Sequence, residues 1–209
     1  MYITSIVQIL TKIGETLILL RTARRAIPRE DILNSEEKAY IAGFLDGDGS
    51  IMAQLVFRKD YRLGYQIRVS IVFYQKTSHQ KILFWLKERL GYGYVRMRKD
   101  GMSEYTIVGI REAAHVLKLL YPFLQLKKDL AIDVLALIEH HPSTRKMTAS
   151  KLISLSKRVD KTAEFNYSKK RTITSETVIN FLGKQSIPVE TGVQVALDED
   201  RANKLYQAL

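Results

Sequence analysis

The first residues that offer chemistry are Asp46-Gly47-Asp48-Gly49. Two carboxylates alternate with glycines at the end of a stretch that reads as helical. Acids at a helix C-terminus face the negative pole of the dipole, an unfavourable place unless a cation compensates. Carboxylate and backbone carbonyl oxygens are hard ligands, suited to Mg2+ rather than zinc, and the chain has no cysteine. The plainer reading is a turn, since Asp-Gly pairs are frequent turn formers. Four residues alone favour the turn.

The element that must hold these acids is the segment 35–50. Ser35 followed by Glu36 and Glu37 is a helix start, with a hydroxyl to cap free amides and carboxylates at the positive dipole end. Tyr40, Ile41, Phe44 and Leu45 repeat at helical spacing and are expected to bury one face. Ala39, Gly43 and Gly47 stand four apart, a row of small residues that lets a second helix approach backbone to backbone. The whole segment, Ala-Tyr-Ile-Ala-Gly-Phe-Leu-Asp-Gly-Asp-Gly-Ser, resembles the signature helix of the LAGLIDADG homing endonucleases in its single-copy form. The resemblance runs from about Ser35 to about Gly183.

Composition bounds the reading independently. A chain of 209 residues supports one well-buried domain with appendages. Lys and Arg number 33 against 22 acids, a formal charge of +11, which favours a polyanionic partner, nucleic acid ahead of an acidic membrane surface. No apolar run approaches the length of a membrane span. Residues 1–34 read as an N-terminal extension, an accessory segment or an organelle transit peptide; the positive charges follow the apolar run, against a secretion signal. Residues 184–209, with acidic Asp198-Glu199-Asp200, fall outside the resemblance and read as a C-terminal tail.

Between these flanks, 35–183 alternates elements in the order helix, two strands, helix, two strands, helices. Ile51–Phe57 and Tyr65–Phe73 alternate like paired strands, Thr77 and Gln80 have the spacing of a capping box, and Tyr92–Arg98 and Glu104–Val108 form a second hairpin. Further helices are expected over 111–120, 126–139, 151–164 and 174–182. The pattern predicts an α+β fold, an αββαββα core with an antiparallel four-stranded sheet covered by helices on one face.

Alternation also says which side chains the uncovered face presents. The first strand offers Gln54, Val56 and Arg58, and the second Gln66, Arg68, Ser70 and Val72. The third offers Tyr94, Arg96 and Arg98; the fourth offers Glu104, Thr106 and Val108. Arginine reads guanine edges, glutamine reads adenine, and apolar groups contact thymine methyls. A solvated outer face carries similar residues, but four strands with one mixed set favour a major-groove surface, and the resemblance implies double-stranded DNA as partner. Tyr61 and neighbouring Lys59 in the first turn add contacts. Lys169, Lys170, Arg171 and Thr172 precede the last helix, whose start at Thr174 and Ser175 suits phosphate oxygens.

The resemblance implies the rest. Asp48 matches the metal-binding acid of the motif, with the Gly47 carbonyl completing the coordination; Asp46 matches the acid with a structural role. Gln75 matches a position that orients the attacking water, and Lys127 a lysine near the scissile phosphate. His79 stands where a basic residue, often Arg, is usual, so less positive charge is expected there near neutral pH. One signature per chain supplies one set of carboxylates, and cutting two strands needs two. A homodimer through Ala39, Gly43 and Gly47 is therefore expected, with a long, nearly palindromic target. The expected activity is Mg2+-dependent (or Mn2+-dependent) cleavage of DNA at a specific site, encoded in an intron and located in a chloroplast or mitochondrion. The rivals are an intron RNA maturase and a non-catalytic DNA-binding regulator; the presence of Asp48, Gln75 and Lys127 favours the nuclease.

Overall fold

The computed structural model describes residues 33–165 and 171–185. Helix α1 (Ser35–Asp48) opens with a reciprocal cap one residue earlier than Ser35: Asn34 Oδ1 accepts from the Glu37 amide at 2.8 Å, and the Asn34 amide donates to Glu37 Oε2. The helix passes directly into strand β1 (Gly49–Phe57). Gly49 permits this, because a Cβ there would lie 2.8 Å from the Leu45 carbonyl oxygen. Ile41, Ala42 and Leu45 are buried as the helical spacing requires, but Tyr40 is 53% exposed, its ring edge-on to Trp85 rather than in the core.

Strand β2 (Tyr65–Lys76) runs three residues longer than the alternation predicts. It leads into a 3-10 turn (Thr77–His79) and helix α2 (Lys81–Leu90). The expected Thr77–Gln80 capping box does not form. Thr77 Oγ1 lies 3.0 Å from Ser103 Oγ, and Ser103 Oγ donates to Gln80 Oε1, so both side chains tie the turn to a neighbouring strand instead. Strands β3 (Tyr94–Met97) and β4 (Met102–Val108) form the second hairpin. Helices α3 (Ile110–Leu120), α4 (Lys128–Glu139), α5 (Ala149–Ala163) and α6 (Ser175–Lys184) follow.

The sheet is antiparallel in the order β1-β2-β4-β3, and with its helices the fold is α+β as expected. Ile67, Val69, Ile71 and Phe73 of β2 point into the helical layer with Ile51, Tyr105 and Ile107, and all are essentially fully buried. Phe73 stacks between Phe44 of α1 and Tyr105 of β4, at 6.0 and 5.7 Å. Burial pushes the Tyr105 phenol up, and its hydroxyl donates to the Tyr92 carbonyl, so this polar atom is not stranded in the core. The open side of the sheet is left free of helices. Residues 1–32 of the N-terminal extension (1–34), Lys169, Lys170 and residues 186–209 of the tail (184–209) lie outside the described residues.

Candidate active site and nucleic-acid interface

The two aspartates of α1 have opposite surroundings. Asp46 is 8% exposed and its carboxylate accepts three backbone amides, Gln125 at 2.7 Å, Leu126 at 3.2 Å and Lys127 at 2.9 Å. These amides belong to the segment that leads into α4, ahead of its first helical residue. Asp46 therefore anchors that segment to the end of α1. The Lys127 Nζ folds back and donates to the Asp46 carbonyl oxygen. Burial holds the Lys127 ammonium below its ordinary range, partly offset by the Asp46 and then the Asp48 carboxylate. The structure thus brings Lys127 to the acidic end of α1 across a separation of about eighty residues.

Asp48 is exposed, and no hydrogen bond or ion pair engages its carboxylate among the described residues. Ala39, Gly43 and Gly47 are exposed as well, and a Cβ added at Gly43 or Gly47 would meet nothing within 4 Å. The small-residue row is an open face. Among the described residues, no three His, Asp or Glu side chains gather in one chain. The donors here, one free carboxylate and a last-turn carbonyl at Gly47, are hard oxygens that fit a divalent cation whose other ligands come from elsewhere.

Gln75 sits near the end of β2, two residues beyond Phe73, which pairs with Gly49; the register thus carries it past the start of β1 towards the end of α1. It is half-buried and its Oε1 accepts from the Lys76 amide. His79 lies exposed in the turn that follows.

The open sheet face differs from expectation in two respects. Gln54, Val56, Gln66, Arg68, Tyr94, Arg96 and Arg98 are accessible or half-exposed, whereas Ser70, Val72, Glu104 and Thr106 are buried to 9% exposure or less. The reason is register. Val72 lies between Ser50 and Thr106, and Ser70 between Met52 and Val108, so neighbouring side chains close over the centre of β2. Thr106 Oγ1 is buried without a hydrogen-bond partner among the described residues. The guanidiniums, in turn, are engaged rather than free. Arg96 pairs with Glu104 at 2.6 Å, Arg98 with Asp100 at 2.6 Å, and Arg58 makes a two-pronged contact with Asp60; Arg68 donates to Gln54 Oε1. Alternation finds the face, but pairing depends on turn residues such as Asp60 and Asp100. Sequence reading also missed Ser50, Met52, Tyr74, Lys76 and Met102, which the ladder places on this same face; extending the two-residue period to the full strands would have found them.

In the basic loop, one residue departs from expectation. Arg171 Nη1 donates to the Val159 carbonyl, and burial lowers its guanidinium below the usual range, opposed by Asp160. The Ser175 amide donates to Asp160 Oδ2 at 2.8 Å, so the start of α6 already has its anion. Thr172 is exposed.

An acidic helix tip at the end of an open, arginine-bearing antiparallel sheet defines the class as a helix-and-saddle α+β domain. The family profile described as LAGLIDADG endonuclease matches residues 41–133. The DNA endonuclease I-CvuI of Chlorella vulgaris is 43% identical over 146 residues, 70% of this chain and 89% of the relative. The DNA endonuclease I-CreI of Chlamydomonas reinhardtii is 39% identical over 145 residues, 69% of this chain and 88% of that protein. A crystal structure of I-CvuI in complex with its target in the presence of Ca aligns with a TM-score of 0.70 at 41% identity, covering 74% of this chain and 97% of that one. The chain belongs to the LAGLIDADG endonuclease family.

Proposed function

We propose that this protein is a site-specific double-strand DNA endonuclease of the homing type, acting as a homodimer with a divalent cation, Mg2+ first and Mn2+ as a substitute. One observation carries the reading: an unpaired, exposed Asp48 carboxylate ends a helix whose glycine face is open, beside a part-buried Lys127 and at the edge of the sheet. The relatives named as DNA endonucleases, and the solved complex of I-CvuI with its target, support the same activity here. Residues 35–183 carry the activity on this reading, and 1–34 and 184–209 are appendages. Location in a chloroplast or mitochondrion follows from the family alone.

Two α1 helices meeting through Ala39, Gly43 and Gly47 bring two Asp48 side chains together about a two-fold axis. Asp48 and the Gly47 carbonyl would hold the cation, which when bound would activate a water and neutralise charge on the phosphoryl oxygens. Lys127, anchored by Asp46, places positive charge against the scissile phosphate. Gln75 orients the attacking water, and His79 adds a hydrogen-bonding group at the rim. The paired Arg58, Arg96 and Arg98, with Gln54, Gln66, Arg68, Tyr61 and Tyr94, read base edges, while Thr172 with Lys169 and Lys170 meets the backbone. Arg–acid pairing suits this task, since the acid orients the guanidinium and can itself accept from cytosine N4.

The test is a plasmid library carrying randomised duplex sites, incubated with Mg2+, with chelator, and with Asp48→Asn protein. Cation-dependent linearisation of a selected site, lost in Asp48→Asn, is expected. Specific binding with no cutting under any divalent cation would replace this reading with the non-catalytic regulator; preferential binding of intron RNA would replace it with the maturase.

A further inference from the structure

We propose that Phe181 of α6 is a positioning residue: it clasps the β1–β2 hairpin and thereby sets how sharply the outer bases of the target are read. This rests on the reading of the sheet as the DNA-facing surface. Phe57 and Tyr65 are the last pair of the β1–β2 ladder, with ring centroids 5.3 Å apart. The Phe181 ring, more than a hundred residues later, packs edge-on against both, at 5.6 Å from Phe57 and 5.3 Å from Tyr65. It also lies directly over Gly64, where φ is +71° and a Cβ would come 2.2 Å from Phe181 Cε1. Gly64 is thus required twice, by its left-handed backbone and by the ring above it.

The tip beyond this pair is internally fixed. The Arg58 amide donates to the Gly64 carbonyl, the Gly64 amide to the Tyr61 carbonyl, and the Tyr61 amide to the Arg58 carbonyl. The Arg58 guanidinium sits 5.5 Å from the Tyr61 ring centroid while holding Asp60. A rigid tip still needs its direction set, and two contacts from the C-terminal half do so: Phe181 at the base, and Arg62 Nη2, which donates to the Met147 carbonyl at 2.6 Å. The β3–β4 turn has no such cover at its glycine, because a Cβ at Gly101 would meet nothing within 4 Å. Side chains that discriminate bases must be held closely by their supporting shell, so loosening the clasp affects what the tip reads and spares what the rest of the sheet reads.

The full-length chain tests this as Phe181→Ala, Phe181→Leu and Phe181→Tyr, the leucine keeping apolar volume in case alanine fails to fold. Amide exchange without DNA is expected to speed up by about tenfold at residues 58–64 in the alanine and leucine variants, with 98–102 unchanged, and to return towards wild type in Phe181→Tyr. Binding selection from a randomised duplex library is expected to lose several-fold discrimination at the outer positions only. Unchanged exchange at 58–64, or discrimination lost evenly across the site, overturns the proposal. Wild-type cleavage is measured alongside: a wild type that binds without cutting strikes the nuclease reading, while the exchange and binding profiles still decide the clasp.

Discussion

Asp46 and Asp48 share a side-chain type, a helix end and an intervening glycine, yet the fold treats them oppositely. Asp46 is enclosed and held by the amides of Gln125, Leu126 and Lys127. Asp48 stands in solvent with no partner engaged among the described residues. A carboxylate with most of its acceptor sites taken by backbone amides has little left for a reacting system, and an open one at the negative end of a helix dipole attracts cations. The difference separates architecture from chemistry within three residues. The same division recurs in the basic groups, with Arg171 spent on the Val159 carbonyl and Lys127 held part-buried beside the acids.

The sharpest way to break this comparison is to remove each acid. Asp48→Asn is expected to lower DNA cleavage by about 10³-fold or more while leaving thermal stability unchanged or raised by about 0.3–1 kcal/mol, because a charge leaves an unfavourable helix end. Chelation of the cation should reproduce the cleavage loss in the wild type. Equal cleavage by Asp48→Asn and wild type would end the assignment. Asp46→Ala should do the reverse first. It leaves three part-buried amides without their charged acceptor, and a loss of about 2 kcal/mol in denaturant unfolding is expected, with cleavage falling only as Lys127 is released.

Lys127→Met is expected to reduce cleavage by about 10²-fold with binding largely retained. Burial lowers the folded-state value of Lys127 from 10.5, so in the wild type the alkaline loss of activity should begin below the pH at which an exposed lysine discharges. A pH–rate profile checks this; a limb set at an ordinary lysine would place the Nζ outside the reaction. The smallest effect concerns His141, whose ring burial lowers its value from 6.5. The unfolded chain then binds more protons in the window between that lowered value and 6.5, so stability rises with pH across the window and is lost as pH falls through it. Melting curves across this range should be flatter for His141→Gln than for wild type.

Much of this arrangement was legible residue by residue. The alternation of Gln66 to Phe73 gave a half-buried strand and its two faces, and the small residues at 39, 43 and 47 gave the open side of α1. Asn34 was passed over in favour of Ser35 because both residues have capping side chains, and only the backbone geometry chose between them. The burial of Ser70, Val72, Glu104 and Thr106 was not legible, because it depends on which residues flank them in the register of β1, β2 and β4. Nor was the seat of Phe181 on Phe57 and Tyr65, a contact between segments far apart in the chain.

By itself, then, the sequence determined the periods and turn glycines, which act through neighbours a few residues away, and with them the α+β order and the acidic end of α1. Only the tertiary structure decided which of two identical carboxylates is consumed, which arginines are paired and which loop is clasped. Those outcomes depend on groups brought together from distant positions, and no local interaction encodes them until the core has closed.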